Sequence, residues 1–395
     1  MVQRQTGILF TINGMTALSF AFLLPIMSLF LVSELNAQPA FIGVYTTLTA
    51  ISTLSVSPKI TALIDKGVSS KALFILSLFG IVMASAGFYM ASEFWHALII
   101  GCVLMPLASS SVPLILTIIR NYADSTGADS TKLNSQMRSS VSLLWIFGPP
   151  LAFMSVDKLG FQSNFVLAAA IALVVVVIVM LCFESPTVNH SEKQTSKNSQ
   201  LPRSVWGLGA VVLLANIANS TYINAMPIYL IQELAFSKSS PGWLLGLTAL
   251  VEIPVMLLAA NWAGRIGKVT VMKMGFMAGA VFYAAMYLSS SLEAFLVLQI
   301  INGVFFGIFV GLGITIMQDI APNNIGKASA FYTNAMLLGT MVGTSLMGII
   351  SQYYGFRAPL LLCFTAIVAA LVGLIIFDRK SQKVKVEGNV EQIIS

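Results

Sequence analysis

Residues Glu184 to Ser204 read ESPTVNHSEKQTSKNSQLPRS, a run of small and polar residues with Pro202 near its end. Too few apolar side chains stand there to offset the entropy of ordering, so the run reads as a linker. On either side lies a long apolar stretch that breaks into about six runs. A helix needs about 20 apolar residues to cross a hydrocarbon core of roughly 30 Å, and each run is of that order. The expected spans are 6–32, 41–64, 72–91, 95–119, 135–156 and 162–183 before the linker. After it they are 205–232, 242–264, 270–289, 293–317, 326–351 and 358–377. The chain is therefore expected to form a six-helix bundle over 1–183, a cytoplasmic linker over 184–204, a second six-helix bundle over 205–380, and a disordered cytoplasmic tail over 381–395.

Composition excludes the other classes. Hydrophobic residues make up 57% of the chain and charged residues 9%, against about 25% charged in a soluble domain. Outer-membrane barrels alternate apolar and polar residues along each strand, whereas Ile171 to Leu181 is apolar without a break. The fold class is an all-α membrane protein, twelve transmembrane helices in two pseudo-symmetric bundles. The N-terminal apolar run is too long for a signal peptide and lacks a small-residue exit, so it reads as a retained span. Cys102, Cys182 and Cys363 all sit in apolar runs, where a thiol behaves as a small hydrophobe. The two histidines, His96 and His190, are far apart, and no metal-ligand spacing or nucleotide-binding glycine loop occurs. No enzyme activity, metal or cofactor is expected.

The net charge of +6 gains meaning once it is placed on these spans. With the N-terminus inside, Lys66, Lys71, Lys132, Lys193, Lys197, Arg203, Arg265, Lys268, Lys327 and the basic residues after Asp378 all fall on the inner side. Only Lys158, Lys238 and Arg357 fall outside. Excess positive charge marks the cytoplasmic face, so both termini are expected inside. The basic balance thus reports topology and contact with anionic lipid, and it implies no nucleic-acid partner.

The two halves repeat one unit at an offset of about 195 to 202 residues. Leu24-Pro25-Ile26 matches Met226-Pro227-Ile228, and Glu34-Leu35 matches Glu233-Leu234. Gly148-Pro149-Pro150 matches Gly343-Thr344-Ser345, and Gly160-Phe161 matches Gly355-Phe356. Six helices per half, repeated in parallel about an axis along the membrane normal, is the major facilitator plan, in which two bundles rock about a binding site near the midplane. The loop after the second span, Thr61-Ala-Leu-Ile-Asp65-Lys66-Gly67, keeps an acid and a base of the G-x-x-x-D-R-x-G-R pattern of that superfamily. Its repeat, Gly264-Arg265-Ile266-Gly267-Lys268, keeps the bases and loses the acid. Asp65, Lys66, Arg265 and Lys268 are therefore expected to latch the cytoplasmic helix ends, together with Arg120 and Asp124 at the close of the fourth span.

Polar groups inside the spans are the candidates for function. Glu252 lies mid-span among Leu, Val, Ile and Met. An ionised acid there costs about 2.5–3.5 kcal/mol on insertion scales, and desolvation penalises its charged form. It either exchanges a proton, bonds a solute hydroxyl, or is satisfied by a neighbouring helix. Asn216, Asn219 and Tyr222 are spaced i, i+3, i+6 and share a face of the seventh span, with Asn13 at the equivalent place in the first. Gln299 and Asn302 repeat the i, i+3 spacing in the tenth span. Amides and phenols offer donors and acceptors without charge, which suits either a sugar or an interhelical bond. Trp145 offers a flat ring with a polar edge for stacking or for packing. Arg138 is either part of the cytoplasmic ion-pair cluster, with Arg120 and Asp124, or a cavity or coupling residue. Gly148-Pro149-Pro150 is expected to break the fifth helix.

Several stretches go further and resemble the bacterial sugar efflux transporters within the major facilitators. They are Ala37-Gln38-Pro39-Ala40-Phe41-Ile42-Gly43, Arg120-Asn121-Tyr122-Ala123-Asp124, the fifth-span run from Met137-Arg138 through Trp145 and Gly148-Pro149-Pro150 to Phe153, and Glu252-Ile253-Pro254. Gln318-Asp319 before Pro322 and the Thr333-Asn334 pair also fit. The resemblance implies a monomer in a bacterial inner membrane that exports small sugars or glycosides in exchange for protons. The rival reading is a major facilitator proton antiporter for drugs or other amphiphiles. The outer part of the fourth span, Gly101-Cys-Val-Leu-Met-Pro106, lacks the arginine that such drug exporters carry.

Overall fold

The computed structural model describes residues 2–126, 130–183 and 201–394. Within these, the side chains at 2–4, 65, 124, 130–136, 138–140, 142, 203, 323 and from 380 onward are not described. Asp65, Asp124 and Arg138 are among them, as is most of the expected linker among the undescribed residues, so those expectations lie outside the described residues. Every described regular element is helical.

In the first half α1 (Val2–Leu23) and α2 (Met27–Ser33) form one span interrupted at Leu24-Pro25-Ile26. They are followed by α3 (Ala40–Thr61), a 3-10 turn at Ile64–Lys66, α4 (Ser70–Met90), then α5 (Phe94–Ser109) and α6 (Ser111–Thr126), which share a span. The half closes with α7 (Ser130–Leu159) and α8 (Phe161–Cys182). The second half runs through α9 (Arg203–Ile228), a π-helical turn at Tyr229–Glu233, α10 (Ser240–Ile266), α11 (Lys268–Leu288), α12 (Leu292–Ile320), α13 (Ile325–Tyr354) and α14 (Pro359–Ile394). Eleven stretches of described residues are long and apolar enough to cross a membrane. The fifth expected span, 135–156, falls in α7. Helix α14 extends past Lys380 to Ile394.

The backbone carries the repeat at its corners. Outside glycine, positive φ occurs at Asn36 (49°) and Ala235 (55°), which are 199 residues apart. Gly67 (87°) and Gly267 (88°) are 200 apart, and Gly160 (83°) and Gly355 (79°) are 195 apart. All six therefore fall into three pairs at the repeat offset. Among the described residues, Gly160 and Gly355 share the whole conformation, both with ψ of 171°. Gly67 (ψ 6°) and Gly267 (ψ 141°) share only the positive φ. Positive φ is sterically closed to most L-residues, so its recurrence at one offset fits a duplicated chain.

The proline expectation needs correcting. Pro149 and Pro150 lie inside α7, which runs on unbroken through Leu159. Membrane helices tolerate proline where neighbours and local adjustments take up the freed backbone groups, and here the rings are packed. A Cβ at Gly242 would stand 2.8 Å from the Pro150 Cα, and one at Gly246 2.5 Å from its Cγ. Bare glycine backbone is thus what seats the Pro150 ring.

The chain divides into two compact units by contact: Met1–Lys193 with Met226–Gly246, and Gln194–Ala225 with Leu247–Ser395. In the first, α1 packs on α7 and α8, and α4 packs on α5 and α8. Phe30, Phe88 and Phe165 stack in its core, with ring centroids 5.0–6.4 Å apart. In the second, α11 packs on α12 and α14, around Tyr222, Phe282, Tyr283 and Phe305. Small-residue seams bring its helices close, as in other membrane bundles. Cβ atoms at Gly303 and Gly307 of α12 would meet the Thr248 and Glu252 carbonyl oxygens of α10 at 3.0 and 2.8 Å. Gly339 and Gly343 of α13 lie equally close to the Leu213 and Ile217 carbonyls of α9. Large apolar side chains such as Ile99, Val103, Val177, Val281 and Val297 stay exposed, as lipid-facing positions should.

Candidate solute cavity and intramembrane polar groups

Unit 1 holds a half-open cavity of about 980 Å³. Its walls are one face each of α1, α6 and α7. Helix α1 contributes Asn13, Thr16 and Phe20, the break after it contributes Leu24, α6 contributes Thr117 and Arg120, and α7 contributes Met137 and Trp145. The polar residues recur on α1 at i, i+3 and so fall on one side. Asn13 is fixed by donating from Nδ2 to the Met137 carbonyl at 2.9 Å. Thr16 turns its hydroxyl back to the Ile12 carbonyl of its own helix, which leaves its methyl group to the wall. Trp145 is half-buried. The geometry therefore joins Asn13 and Trp145, which sequence reasoning selected separately. It adds Arg120, expected as part of the cytoplasmic latch, whose exposed side chain also lines this cavity.

In unit 2 the selected amides serve as ties within the bundle. The Gln299 Oε1 accepts from Tyr222 at 3.0 Å, from Thr248 at 2.9 Å and from the Asn302 Nδ2 at 3.2 Å. Its own Nε2 donates to the Phe295 carbonyl at 2.9 Å, which fixes the orientation of the amide. One fully buried carbonyl thus joins α9, α10 and α12. Thr248 was not singled out from sequence, although it stands one turn before Glu252 and shares its face. Asn216 points elsewhere and donates to the Thr340 hydroxyl at 2.8 Å and to the Met336 carbonyl on α13. Asn219 is buried on α9.

Glu252 is half-buried on α10, beside the Gly307 position of α12. Its carboxylate has no hydrogen-bond or salt-bridge partner among the described residues. Of the expected latch residues, Lys66 and Arg265 are exposed, and Lys268 pairs with Asp319 at 2.5 Å. A second, more enclosed pair joins Lys273 of α11 to Asp378 of α14 at 2.6 Å. Sequence reading missed it; the available signal was Lys273 standing inside an expected span.

Multiple membrane-crossing helices around a solute-sized cavity fit a transporter. Residues 9–209 and again 208–393 match the family description of the Major Facilitator Superfamily. Sugar efflux transporter C of Escherichia coli (strain K12) is 31% identical over 367 residues, 91% of this chain and 93% of that protein. Sugar efflux transporter A of Dickeya chrysanthemi is 29% identical over 91% of this chain and 92% of that protein. Among solved structures, the nucleoside transporter NupG superposes with a TM-score of 0.77 at 13% identity, over 95% of this chain and 98% of that one. The chain belongs to the sugar efflux transporter family of the major facilitator superfamily. It is a membrane transporter and not an enzyme.

Proposed function

We propose that this protein exports small sugars or glycosides from the bacterial cytoplasm by secondary active transport. The cavity that carries Asn13 and Trp145 binds the solute and opens alternately to the two sides of the inner membrane, with both termini cytoplasmic. Inward movement of protons drives the cycle. The observation that carries the reading is the pairing, in one cavity, of a fixed amide with an indole. An amide bonds hydroxyls without charge, and an aromatic ring covers the apolar face of a pyranose. The names of the relatives support the same solute class. Arg120 in the wall disfavours cationic drugs, the solutes of the rival antiporter reading.

Glu252 is the proton-carrying group in this reading. A carboxylate inside a span, half-buried and without a partner among the described residues, is free to gain and lose a proton as its surroundings change. Arg138 stands in the same proposed coupling role. The remaining amides, Asn216, Asn219, Gln299 and Asn302, with Tyr222, shape the second half of the solute path or hold its helices. Asp65, Lys66, Arg120, Asp124, Arg265 and Lys268 are the proposed cytoplasmic latch, of which Arg120 also lines the cavity. The protein works as a monomer in contact with anionic lipid.

The test is a vesicle assay. Oriented vesicles carrying a pH indicator are given a panel of sugars and glycosides, with Glu252→Gln as the comparison. Sugar-dependent proton movement that vanishes in the variant is the expected result. A response to cationic dyes and none to sugars would overturn the assignment in favour of a drug exporter.

A further inference from the structure

Most polar groups in the wall of the unit 1 cavity are already engaged. The hydroxyls of Thr16 and Thr117 bond the Ile12 and Pro113 carbonyls of their own helices, and Asn13 donates to Met137. Ser109, the last residue of α5, also lines the cavity. Its hydroxyl and the Trp145 indole N–H have no hydrogen-bond partner among the described residues. The next residue, Ser110, differs: its fully buried hydroxyl donates to the Pro106 carbonyl at 2.8 Å. A second group of Ser109 lacks its ordinary partner. A helix carbonyl is normally bonded by the amide four residues on, and here that residue is Pro113, which has no N–H.

Ser109 and Trp145 stand at one depth. Helices α1 and α6 belong to the first and fourth crossings and run in opposite senses, and the Thr6 hydroxyl lies 3.3 Å from that of Tyr122. Ser109 is 13 residues before Tyr122 in a single span, which is about 20 Å at a rise of 1.5 Å per residue. The same count along α1 from Thr6 ends at Ser19. Helices α1 and α7 run in the same sense. A Cβ at Gly14 would stand 2.9 Å from the Leu144 Cδ1, and one at Gly148 would abut the Ala21 Cβ. Trp145 is therefore level with α1 between Gly14 and Ala21, the interval that contains Ser19. Phe20 lines the cavity at the same height.

Resting on the sugar-export reading above, we infer that Ser109 is the specificity-determining residue of this cavity. It bonds one hydroxyl group of a neutral pyranose whose apolar face lies on Trp145. The serine hydroxyl donates to that group, and the carbonyl that Pro113 leaves open accepts from it. An analogue without the group leaves both parts of Ser109 unpaired, and the epimer at that carbon directs the group away from them.

The probes are methyl β-glucoside, its C4 epimer methyl β-galactoside, and the 2-, 3-, 4- and 6-deoxy analogues of each. Binding is measured by calorimetry on the purified protein in nanodiscs. For the parent that binds tighter, one deoxy analogue is expected to bind about three- to tenfold more weakly through loss of the Ser109 bonds, the scale of a neutral hydrogen bond. Ser109→Ala should close that gap by weakening the parent, with the ratios of the other analogues unchanged and the melting temperature close to native. Ser110→Ala, which removes a hydroxyl already paired, should keep the gap. Binding of the sugars with every analogue-to-parent ratio the same in Ser109→Ala as in the native protein overturns the inference and leaves the sugar-export reading standing. A gap that closes equally in Ser110→Ala also overturns it, because the effect would then be one of packing. Failure of the whole set to bind overturns both.

Discussion

Asn13 and Gln299 are both amides on membrane-crossing helices, one in each half of a duplicated chain. Asn13 donates to the Met137 carbonyl and borders a cavity of about 980 Å³. Gln299 is fully buried and accepts three donors from α9, α10 and α12. The contrast shows how one six-helix plan can be put to two uses. A polar residue that faces open volume is left with bonding capacity for a solute. One whose capacity is filled by neighbouring helices fixes their spacing instead. The duplicated backbone has kept its corners, and the difference lies in which side chains are satisfied internally.

The largest expected effect strikes the buried hub. Gln299→Leu removes the acceptor shared by Tyr222, Thr248 and Asn302. Asn302 keeps its bond to the Thr248 hydroxyl, so the cost falls chiefly on the buried Tyr222 hydroxyl, at about 1–3 kcal/mol for an orphaned buried donor. Bilayer measurements nearer 0.6 kcal/mol per bond set the lower end. A loss of about 1–3 kcal/mol, read as a lower melting temperature of the purified protein, is expected. A melting temperature equal to that of the native protein would break the comparison, because Gln299 would then be no more a tie than Asn13.

The glycine seam comes next. Gly307→Val drives a side chain against the Glu252 carbonyl, which stands 2.8 Å from the position of its Cβ. Overpacking of this kind costs about 1–3 kcal/mol. A reduced yield of folded protein on size-exclusion chromatography is the expected outcome.

Trp145→Ala sharpens the comparison from the other side. Stacking contacts contribute about 0.5–1.5 kcal/mol, so sugar flux into vesicles should fall by up to about tenfold. The melting temperature should move far less than in Gln299→Leu. A large fall in melting temperature with flux retained would assign Trp145 to packing.

The smallest effect concerns a corner. Ala235 has φ of 55° where its repeat partner is Asn36 at 49°. Left-handed backbone costs an ordinary L-residue about 1–2 kcal/mol and asparagine adopts it more readily than alanine, so Ala235→Asn should raise stability by a fraction of that. Thermal unfolding by circular dichroism measures it, and a lower melting temperature would show that the left-handed conformation of the exposed Ala235 is not a source of strain.

The fold was largely legible in the sequence because hydropathy depends on composition alone, and the long apolar runs left little freedom in placing spans. The repeat was legible for the same reason: Gly160-Phe161 and Gly355-Phe356 had kept both identity and order. The site was less legible. Helical spacing assigns residues to a face but does not say which helix that face meets, so Asn216 and Tyr222 shared a stripe in sequence yet bond to α13 and α12 respectively. Arg120 read as a helix-end cation because its distance from the end of the span was visible and the open volume beside it was not. Thr248 escaped notice since a hydroxyl on an apolar helix most often bonds its own backbone. The continuity of α7 through Pro149 and Pro150 depends on Gly242 and Gly246, about a hundred residues away, and no local rule reports such a partner.

Unit 1 is written in two pieces, Met1–Lys193 and Met226–Gly246, with residues 194–225 of the other unit between them. During synthesis, domains generally fold from the N-terminus onward as units. Here the first unit cannot be completed until the ribosome has passed Gly246. Until then the Pro150 face of α7, which Gly242 and Gly246 cover, has no partner. A nascent chain paused at the linker would present that face to whatever insertion factor or chaperone attends it, so the order of translation makes the second half of the gene a folding requirement for the first.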